Sequence, residues 1–255
     1  MIAIELAAAD KVFPNGVRAL HPLTLTVRDG EFATIVGPSG CGKSTLLRMV
    51  ADLTPPSEGS VRLWPDAASP MERDRRLAFV FQSATLLDWV DVERNVRLPL
   101  DLGGSDASAG GRVQRALALV GLSEFRHAYP RELSGGMQMR VSIARALVTE
   151  PALLLMDEPF AALDEITRTR LDRELAELWT REQLTILFVT HSVFEAVFLS
   201  TRVLVMSSRP GRIVGEVAIE EAHPRTEAFR ASSRFAAYCG QLSAMLALAM
   251  ERATA

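Results

Sequence analysis

The stretch Gly37-Pro38-Ser39-Gly40-Cys41-Gly42-Lys43-Ser44-Thr45 combines residues without side-chain bulk, one ammonium group and two adjacent hydroxyls. It fits the pattern G-x-x-x-x-G-K-[ST], which chance would place in roughly one chain in a thousand of this composition. Glycines let successive backbone N–H groups converge on phosphate oxygens at the positive end of a following helix. Lys43 would reach the β- and γ-phosphates of a nucleotide as a compact charge on a thin stem, and Ser44 would ligate Mg²⁺. Cys41 reads as a small filler of the loop rather than a redox group. Residue usage points to the same place, because of 28 basic residues only Lys11 and Lys43 are lysines. A guanidinium fork is too broad for a loop wrapped around phosphate, whereas an ammonium fits as a point charge. Lys11 has no evident role in the sequence.

A second group of chemically apt residues is Leu153-Leu154-Leu155-Met156-Asp157-Glu158-Pro159. An apolar strand ending in two carboxylates puts Asp157 at the C-terminal edge of a sheet, beside the phosphate loop. There it can hold Mg²⁺ through the ion's water shell, while Glu158 can accept a proton from, or orient, an attacking water. Alone, Asp-Glu after a strand is usually a solvated strand end; paired with a phosphate loop, the catalytic reading is preferred. A third group, Leu133-Ser134-Gly135-Gly136-Met137-Gln138-Met139-Arg140, opens a helix with a serine and two glycines. That makes a second anion-binding surface, although the same residues equally suit a simple cap. One phosphate chain needs only one cradle, so the second would serve a nucleotide held by another subunit.

The elements that must carry these residues read as α/β. Ile2–Leu6, Leu23–Val27 and Glu31–Val36 have strand character, the last running straight into the phosphate loop, and a helix follows from about Ser44 to Asp52. Gly59–Trp64 and Leu77–Phe81 look like further strands. From Gln82 to about Glu150 the periodicity turns helical, as in Val113, Ala116, Leu117 and Val120, with Gly103-Gly104 and Gly110-Gly111 expected to mark loops. Strand and helix then alternate again, with strands at Leu153–Met156 and Thr185–Thr190 around a helix at Thr167–Thr180. The chain from Pro224 onward is helical, with Phe235, Tyr238, Leu242, Met245 and Ala249 at spacings of three and four, and is expected to pack back on the domain. The pattern predicts a mainly parallel sheet covered on both faces and interrupted by an all-α insertion.

Composition narrows the class. With 255 residues, 48% of them hydrophobic, the chain can bury a large core and is not disordered. A formal net charge of −3 with interspersed signs gives no reason to expect a nucleic-acid surface. Two cysteines, Cys41 and Cys239, are too few for a disulfide framework, and no uncharged apolar run approaches the roughly 20 residues of a bilayer span. No signal peptide is legible at the N-terminus, so a cytoplasmic protein is expected. Work at a membrane would need another chain to do the spanning.

Taken together, the three motifs make the chain strongly resemble the ATP-binding subunits of ABC transporters, from Ile4 to about Gly215. The resemblance implies a P-loop NTPase core of ABC type, with a mainly parallel sheet, an N-terminal antiparallel β-subdomain and an inserted α-helical subdomain. It divides the chain into an ATP-binding domain over 1–220, built of a core at 1–82 and 151–220 and a helical subdomain at 83–150, and a helical tail over 221–255. It implies that Phe13 stacks on adenine and that Gln82 approaches Mg²⁺ and the attacking water. Asp164 in Ala161-Ala162-Leu163-Asp164 matches the D-loop, and His191 matches the switch histidine that contacts the γ-phosphate. ATP would then be held by Gly37–Thr45 of one subunit and Ser134, Gly135 and Gly136 of a second copy, with Mg²⁺ between Ser44, Gln82 and Asp157. Met137, Ala162 and Ser192 depart from the family's commoner residues without removing a chemical group, so an active ATPase is expected.

The stretches around Leu133–Arg140, Thr190-His191-Ser192 and Arg209-Pro210-Gly211-Arg212 are most similar to the import ATPases of nitrate, sulfonate, taurine and thiamine-precursor systems. Expected partners are integral membrane permease subunits and, indirectly, a separate solute-binding protein, at the cytoplasmic face of the membrane. The loop Ala84–Val90, with Trp89, either receives a short helix of the permease or belongs to the core of the helical subdomain. A soluble ABC ATPase of a non-membrane complex, such as iron–sulfur cluster assembly, is the alternative. A nucleotide kinase or GTPase is disfavoured by Leu133–Gly136 and by the lack of an Asn-Lys pair.

Overall fold

The computed structural model describes residues 1–67, 77–103 and 108–251. Two sheets organise the chain. In the smaller one, β1 (Ile2–Val12) pairs antiparallel with β2 (Arg18–Arg28) on one side and with β4 (Ser60–Leu63) on the other. Leu23, Leu25 and Val27 of β2 are buried while Thr24 and Thr26 between them face out, the period-two alternation of a half-covered sheet. Both long strands exceed the segments that alternation picks out. Ala8, in the left-handed region at φ 46°, sits within the register shift that lets β1 continue to Val12.

The larger sheet has the order β5 (Leu77–Val80), β6 (Leu153–Asp157), β7 (Thr185–Thr190), β3 (Phe32–Val36), β8 (Arg202–Met206), β9 (Ile213–Ala218). Every pairing from β5 to β8 is parallel, and β9 closes the edge antiparallel to β8. All residues of β3, β6 and β7 are buried, which explains their mostly apolar composition; Thr34 within β3 is buried with its hydroxyl bonded to Ser200. The helix α1 (Lys43–Val50) buries Leu46, Leu47, Met49 and Val50 with Ile4 and Leu6 of the smaller sheet and with Trp64 just past β4. The opposite face is covered by α5 (Glu165–Glu182), α6 (Val193–Leu199) and the helices inserted between β5 and β6.

Those inserted helices are α2 (Val92–Leu102), α3 (Ala109–Leu119) and α4 (Gly135–Leu147). Val113, Ala116 and Leu117 form the buried stripe of α3, with Val120 at its C-terminal end. The loop expected at Gly110-Gly111 is not there: both glycines lie in the first turn of α3. In a first turn the N–H groups lack intrahelical partners in any case, so glycine weakens a helix less there than in its interior. Of the other glycine pair, Gly103 caps α2 and Gly104 lies outside the described residues.

The tail forms α7 (Glu227–Arg230) and α8 (Ser233–Glu251). It packs back on the domain as its spacing predicts, burying Phe235, Leu242 and Ala249. A residue with no sequence signal locks it in place: buried Arg225 donates to the carbonyls of Val197 at 2.6 Å, Phe198 at 3.0 Å, Glu221 at 3.1 Å and Ile219 at 3.2 Å. The architecture is an α/β core with a mainly parallel sheet, an N-terminal antiparallel sheet and an α-helical insertion. No helix among the described residues is long and apolar enough to cross a membrane.

Candidate active site

The C-terminal ends of β3, β6 and β7 deliver the reactive groups to one place. β3 ends at Val36, and Gly37 to Gly42 turn the chain into α1 with Gly42 at φ 110° as the cap. Lys43, only 3% exposed, folds its ammonium back into the loop, where Nζ donates to the carbonyls of Gly37 at 2.9 Å and Pro38 at 3.0 Å. The next residue, Ser44, donates its hydroxyl to Asp157 Oδ1 at 2.8 Å, joining the start of α1 to the end of β6. Burial pushes the Asp157 carboxyl above the ordinary carboxylate range, and the Ser44 hydroxyl works against that.

Glu158 leaves the strand abruptly. Its backbone is in the left-handed region at φ 45°, held by an N–H bond to the carbonyl of Val189 at 2.9 Å in the neighbouring β7. A non-glycine residue costs about 1–2 kcal/mol in that conformation. The turn sets the carboxylate between groups from two other elements: Oε1 lies 3.3 Å from Nζ of Lys43 at the start of α1, and Oε2 lies 2.9 Å from Nδ1 of His191, one residue past β7. Cys41 is buried, and burial raises its thiol, as suits a filler of the loop. So Lys43, Ser44, Asp157, Glu158 and His191, three separate sequence motifs, form one connected set.

The remaining expected residues lie on other segments of the chain. Gln82 is exposed just past β5. The loop after it is pinned from afar by two residues that sequence reasoning missed. The Arg145 guanidinium donates to the carbonyls of Ala84 at 2.8 Å and Thr85 at 2.9 Å. Buried Asn95 donates to the carbonyls of Asp91 at 3.0 Å and of Leu87 and Val90 at 3.1 Å, and accepts from Leu87 N at 2.8 Å. A signal for Asn95 did exist: it is the lone polar residue beside Val92, Val96 and Leu100 on the buried face of α2. Trp89, on the pinned loop, is 74% exposed, so it does not belong to the subdomain core.

Ser134 caps α4, accepting from Met137 N at 3.3 Å, and Ser134 and Gly135 are exposed. Gly136 is buried because its Cα faces α5: a Cβ there would lie 2.7 Å from Thr167 Cγ2. Among the described residues, no hydrogen bond or ion pair links Ser134, Gly135 or Gly136 to the Lys43 set. Asp164 caps α5 by accepting from Thr167 N at 3.0 Å, and that bond holds its carboxyl below the usual range. Phe13 is half-buried in the turn after β1, with Lys11 Nζ 5.9 Å from its ring centroid and 2.5 Å from the carbonyl of Pro55. Lys11 thereby ties the Phe13 turn to the segment after α1.

The arrangement suits a polyphosphate, with a glycine-rich loop at a helix N-terminus and a buried ammonium. A hydroxyl and a carboxylate 2.8 Å apart are hard oxygen donors of the kind Mg²⁺ takes. Among the described residues there is no group of three or more His, Cys, Asp or Glu able to hold a metal by itself. Magnesium commonly completes its shell with water and substrate phosphates, so the Ser44 and Asp157 pair fits it.

The profile of the ABC transporter family matches residues 20–161. An uncharacterized ABC transporter ATP-binding protein of Methanocaldococcus jannaschii is 47% identical over 228 residues, spanning 88% of this chain and 85% of that protein. The aliphatic sulfonates import ATP-binding protein of Bacillus thuringiensis is 39% identical over 211 residues, spanning 83% of this chain and 82% of that protein. Among solved structures, a dimeric ATP-binding cassette in a post-hydrolysis state with ADP and Pi aligns with a TM-score of 0.73 and 31% identity, over 86% of this chain and all of that one.

Proposed function

The chain belongs to the ABC transporter family of ATP-binding subunits, and on that basis we propose how its site works. It binds and hydrolyses ATP as the ATPase subunit of a transporter. Two copies close over two ATP molecules, each nucleotide held by Gly37–Thr45 of one copy and by Ser134, Gly135 and Gly136 of the other. The exposure of Ser134 and Gly135 at the start of α4 supports this, since a second chain can reach their free N–H groups. Phe13 stacks on the adenine, and Asp164 contributes to the closed interface.

The geometry supports the following roles. Lys43 neutralises the phosphates. Ser44, Asp157 and Gln82 would hold Mg²⁺, and the ion would supply charge stabilisation to the transferring group. Glu158 orients the attacking water and takes its proton, and His191, which already touches Glu158, steadies the γ-phosphoryl group. The observation that carries the reading is the position of Glu158, turned out of β6 to lie against both Lys43 and His191.

The transported solute is proposed to be a small molecule or ion of the nitrate, sulfonate and taurine class, in keeping with the sulfonate import relative. Its selection falls to integral membrane subunits and a separate solute-binding protein, and this chain sits peripherally at the cytoplasmic face. Trp89 is a contact for the membrane subunit, as large flat side chains commonly anchor interfaces. The proposed division is a core at 1–82 and 151–220, a helical subdomain at 83–150 and a tail from 221.

The test is Glu158→Gln, which keeps shape and removes the base. It should still bind ATP, accumulate as an ATP-bound dimer in size-exclusion chromatography, and lose turnover by about a hundredfold or more. Hydrolysis at the wild-type rate would end the role given to Glu158.

A further inference from the structure

A chain of contacts runs from the turn before α5 to the switch histidine and is absent from the roles above. It begins at the carbonyl of Leu163, next to Asp164, which accepts from Arg168 Nη2 at 2.9 Å. Arg168 Nε lies 3.4 Å from Oε1 of Glu195 in α6. Oε2 of the same carboxylate accepts the hydroxyl of Thr190, the last residue of β7 and the one before His191. Thr190 Oγ1 in turn accepts from Ser192 N at 2.9 Å, so the backbone is held on both sides of His191. His191 meets Glu158 at 2.9 Å.

Glu195 is only 4% exposed and Arg168 lies partly buried beside it. A carboxylate so placed is expensive unless paired, and plain stability does not require one there, since an apolar side chain of similar size commonly does as well. What an ion pair adds is geometry. It fixes the separation of two backbone segments that lie 27 residues apart in sequence, at the start of α5 and at the end of β7. The guanidinium bonds the Leu163 carbonyl with one nitrogen and faces the Glu195 carboxylate with another, as a charge contact at 3.4 Å rather than a hydrogen bond, so it bridges the Leu163 turn to the carboxylate that accepts from Thr190.

We propose that Arg168 and Glu195 are positioning residues: they hold His191 in register with the Leu163-Asp164 turn, so hydrolysis requires that turn to be seated. The proposal rests on the roles given to Glu158 and His191. Because the Leu163-Asp164 turn lies beside Gly135, where the second copy is proposed to bind, closure of the dimer would reach His191 through this pair.

The test is a double-variant cycle on the full chain, with steady-state ATP hydrolysis over a range of Mg-ATP concentrations. Glu195→Gln can still accept from Thr190 but loses the charge facing Arg168, and Arg168→Met removes the guanidinium while keeping its stem. Each should lower kcat about tenfold and leave KM within roughly threefold, and the double variant should be no slower than the worse single one. Arg230→Met is the structural control, because it breaks the neighbouring hydrogen bond to Asp172, 3.2 Å long, without touching Thr190. It should lower the melting temperature and leave kcat unchanged. A kcat within twofold of wild type for either Glu195→Gln or Arg168→Met, or losses that multiply in the double variant, would overturn the proposal. Should Glu195→Gln not fold, Arg168→Met decides alone by the same criterion on kcat. Glu158→Gln, run alongside, separates the two readings: if it hydrolyses normally the site assignment fails, and if it is inactive any failure belongs to the Arg168–Glu195 pair.

Discussion

Replacing Gly42 and Gly40 by alanine, one at a time, tests whether the phosphate loop is held by backbone geometry as described. Both glycines have positive φ, 76° at Gly40 and 110° at Gly42, yet their surroundings differ. A Cβ on Gly40 would meet nothing within 4 Å, so alanine there suffers only the left-handed backbone, about 1–2 kcal/mol. Alanine also restricts the unfolded chain, which offsets roughly 0.4–1 kcal/mol of that. A Cβ on Gly42 would lie 2.7 Å from Leu20 Cδ2 and 2.9 Å from the carbonyl of Ala19. The carbonyl belongs to β2 and cannot swing away as a side-chain tip can. Strain of about 1–3 kcal/mol from the backbone and a similar amount from the overpacking therefore add. Gly42→Ala should cost about 2–5 kcal/mol, and Gly40→Ala about 1 or less. Urea unfolding at constant m measures both, and the ATP KM reports whether the loop has moved. The relief of the Gly42 clash would displace Lys43, the next residue, so hydrolysis should fall by about a hundredfold. Equal losses of stability for the two variants, or a Gly42→Ala loss under about 0.5 kcal/mol, would refute the reasoning.

Lys43→Arg conserves charge but brings a planar fork into a site where the ammonium is enclosed by two carbonyls and Glu158; kcat in an ATPase assay should drop by about a hundredfold or more. Asp172 offers a pH test. Burial, and then the nearby Glu195 charge, raise its carboxyl to about 8 despite the Arg230 pair at 3.2 Å. Burial outweighs the pair because Oδ1 has no hydrogen-bond partner among the described residues. The folded chain thus holds a proton that the unfolded chain releases above its ordinary value of 3.8. The stability this lends is complete below 3.8 and is lost as pH rises through 8, so Asp172→Asn should flatten the fall in urea-measured stability between pH 5 and about 9.

The parts legible in the sequence are those whose chemistry is local. The phosphate loop needs glycines, an ammonium and a hydroxyl within nine consecutive residues, and Asp157-Glu158 needs only a strand to end on them. Position in three dimensions was legible where mostly apolar strands alternating with helices pointed to a parallel sheet, because the C-terminal ends of β3 and β6 must then share one edge. Pairings between distant backbones left no trace. Arg145 is 60 residues from Thr85, and nothing in the periodicity of α4 says that its guanidinium holds a loop rather than facing solvent. Ala7-Ala8-Ala9-Asp10 has little strand propensity of its own and becomes part of β1 because β2 pairs with it. Gly110-Gly111 looked like a loop because glycine pairs usually punctuate, and the first turn of a helix is where that rule is weakest.

The position of Glu158 bears on how the site is switched. Its two oxygens are divided between the ammonium of Lys43 and the imidazole of His191. Lys43 cannot neutralise a γ-phosphate and stay fully committed to Glu158, because the ammonium has three donors and two already go to the carbonyls of Gly37 and Pro38. Phosphate binding would therefore loosen one oxygen of Glu158 while the other stays near His191, and a loosened carboxylate oxygen is the acceptor an attacking water needs. On this view the ion pair restrains the base until phosphate competes for the lysine, and His191 keeps it from wandering. The left-handed turn at Glu158 then has a purpose beyond leaving the strand: it puts the carboxylate where substrate charge and the switch histidine act on opposite oxygens of the same group.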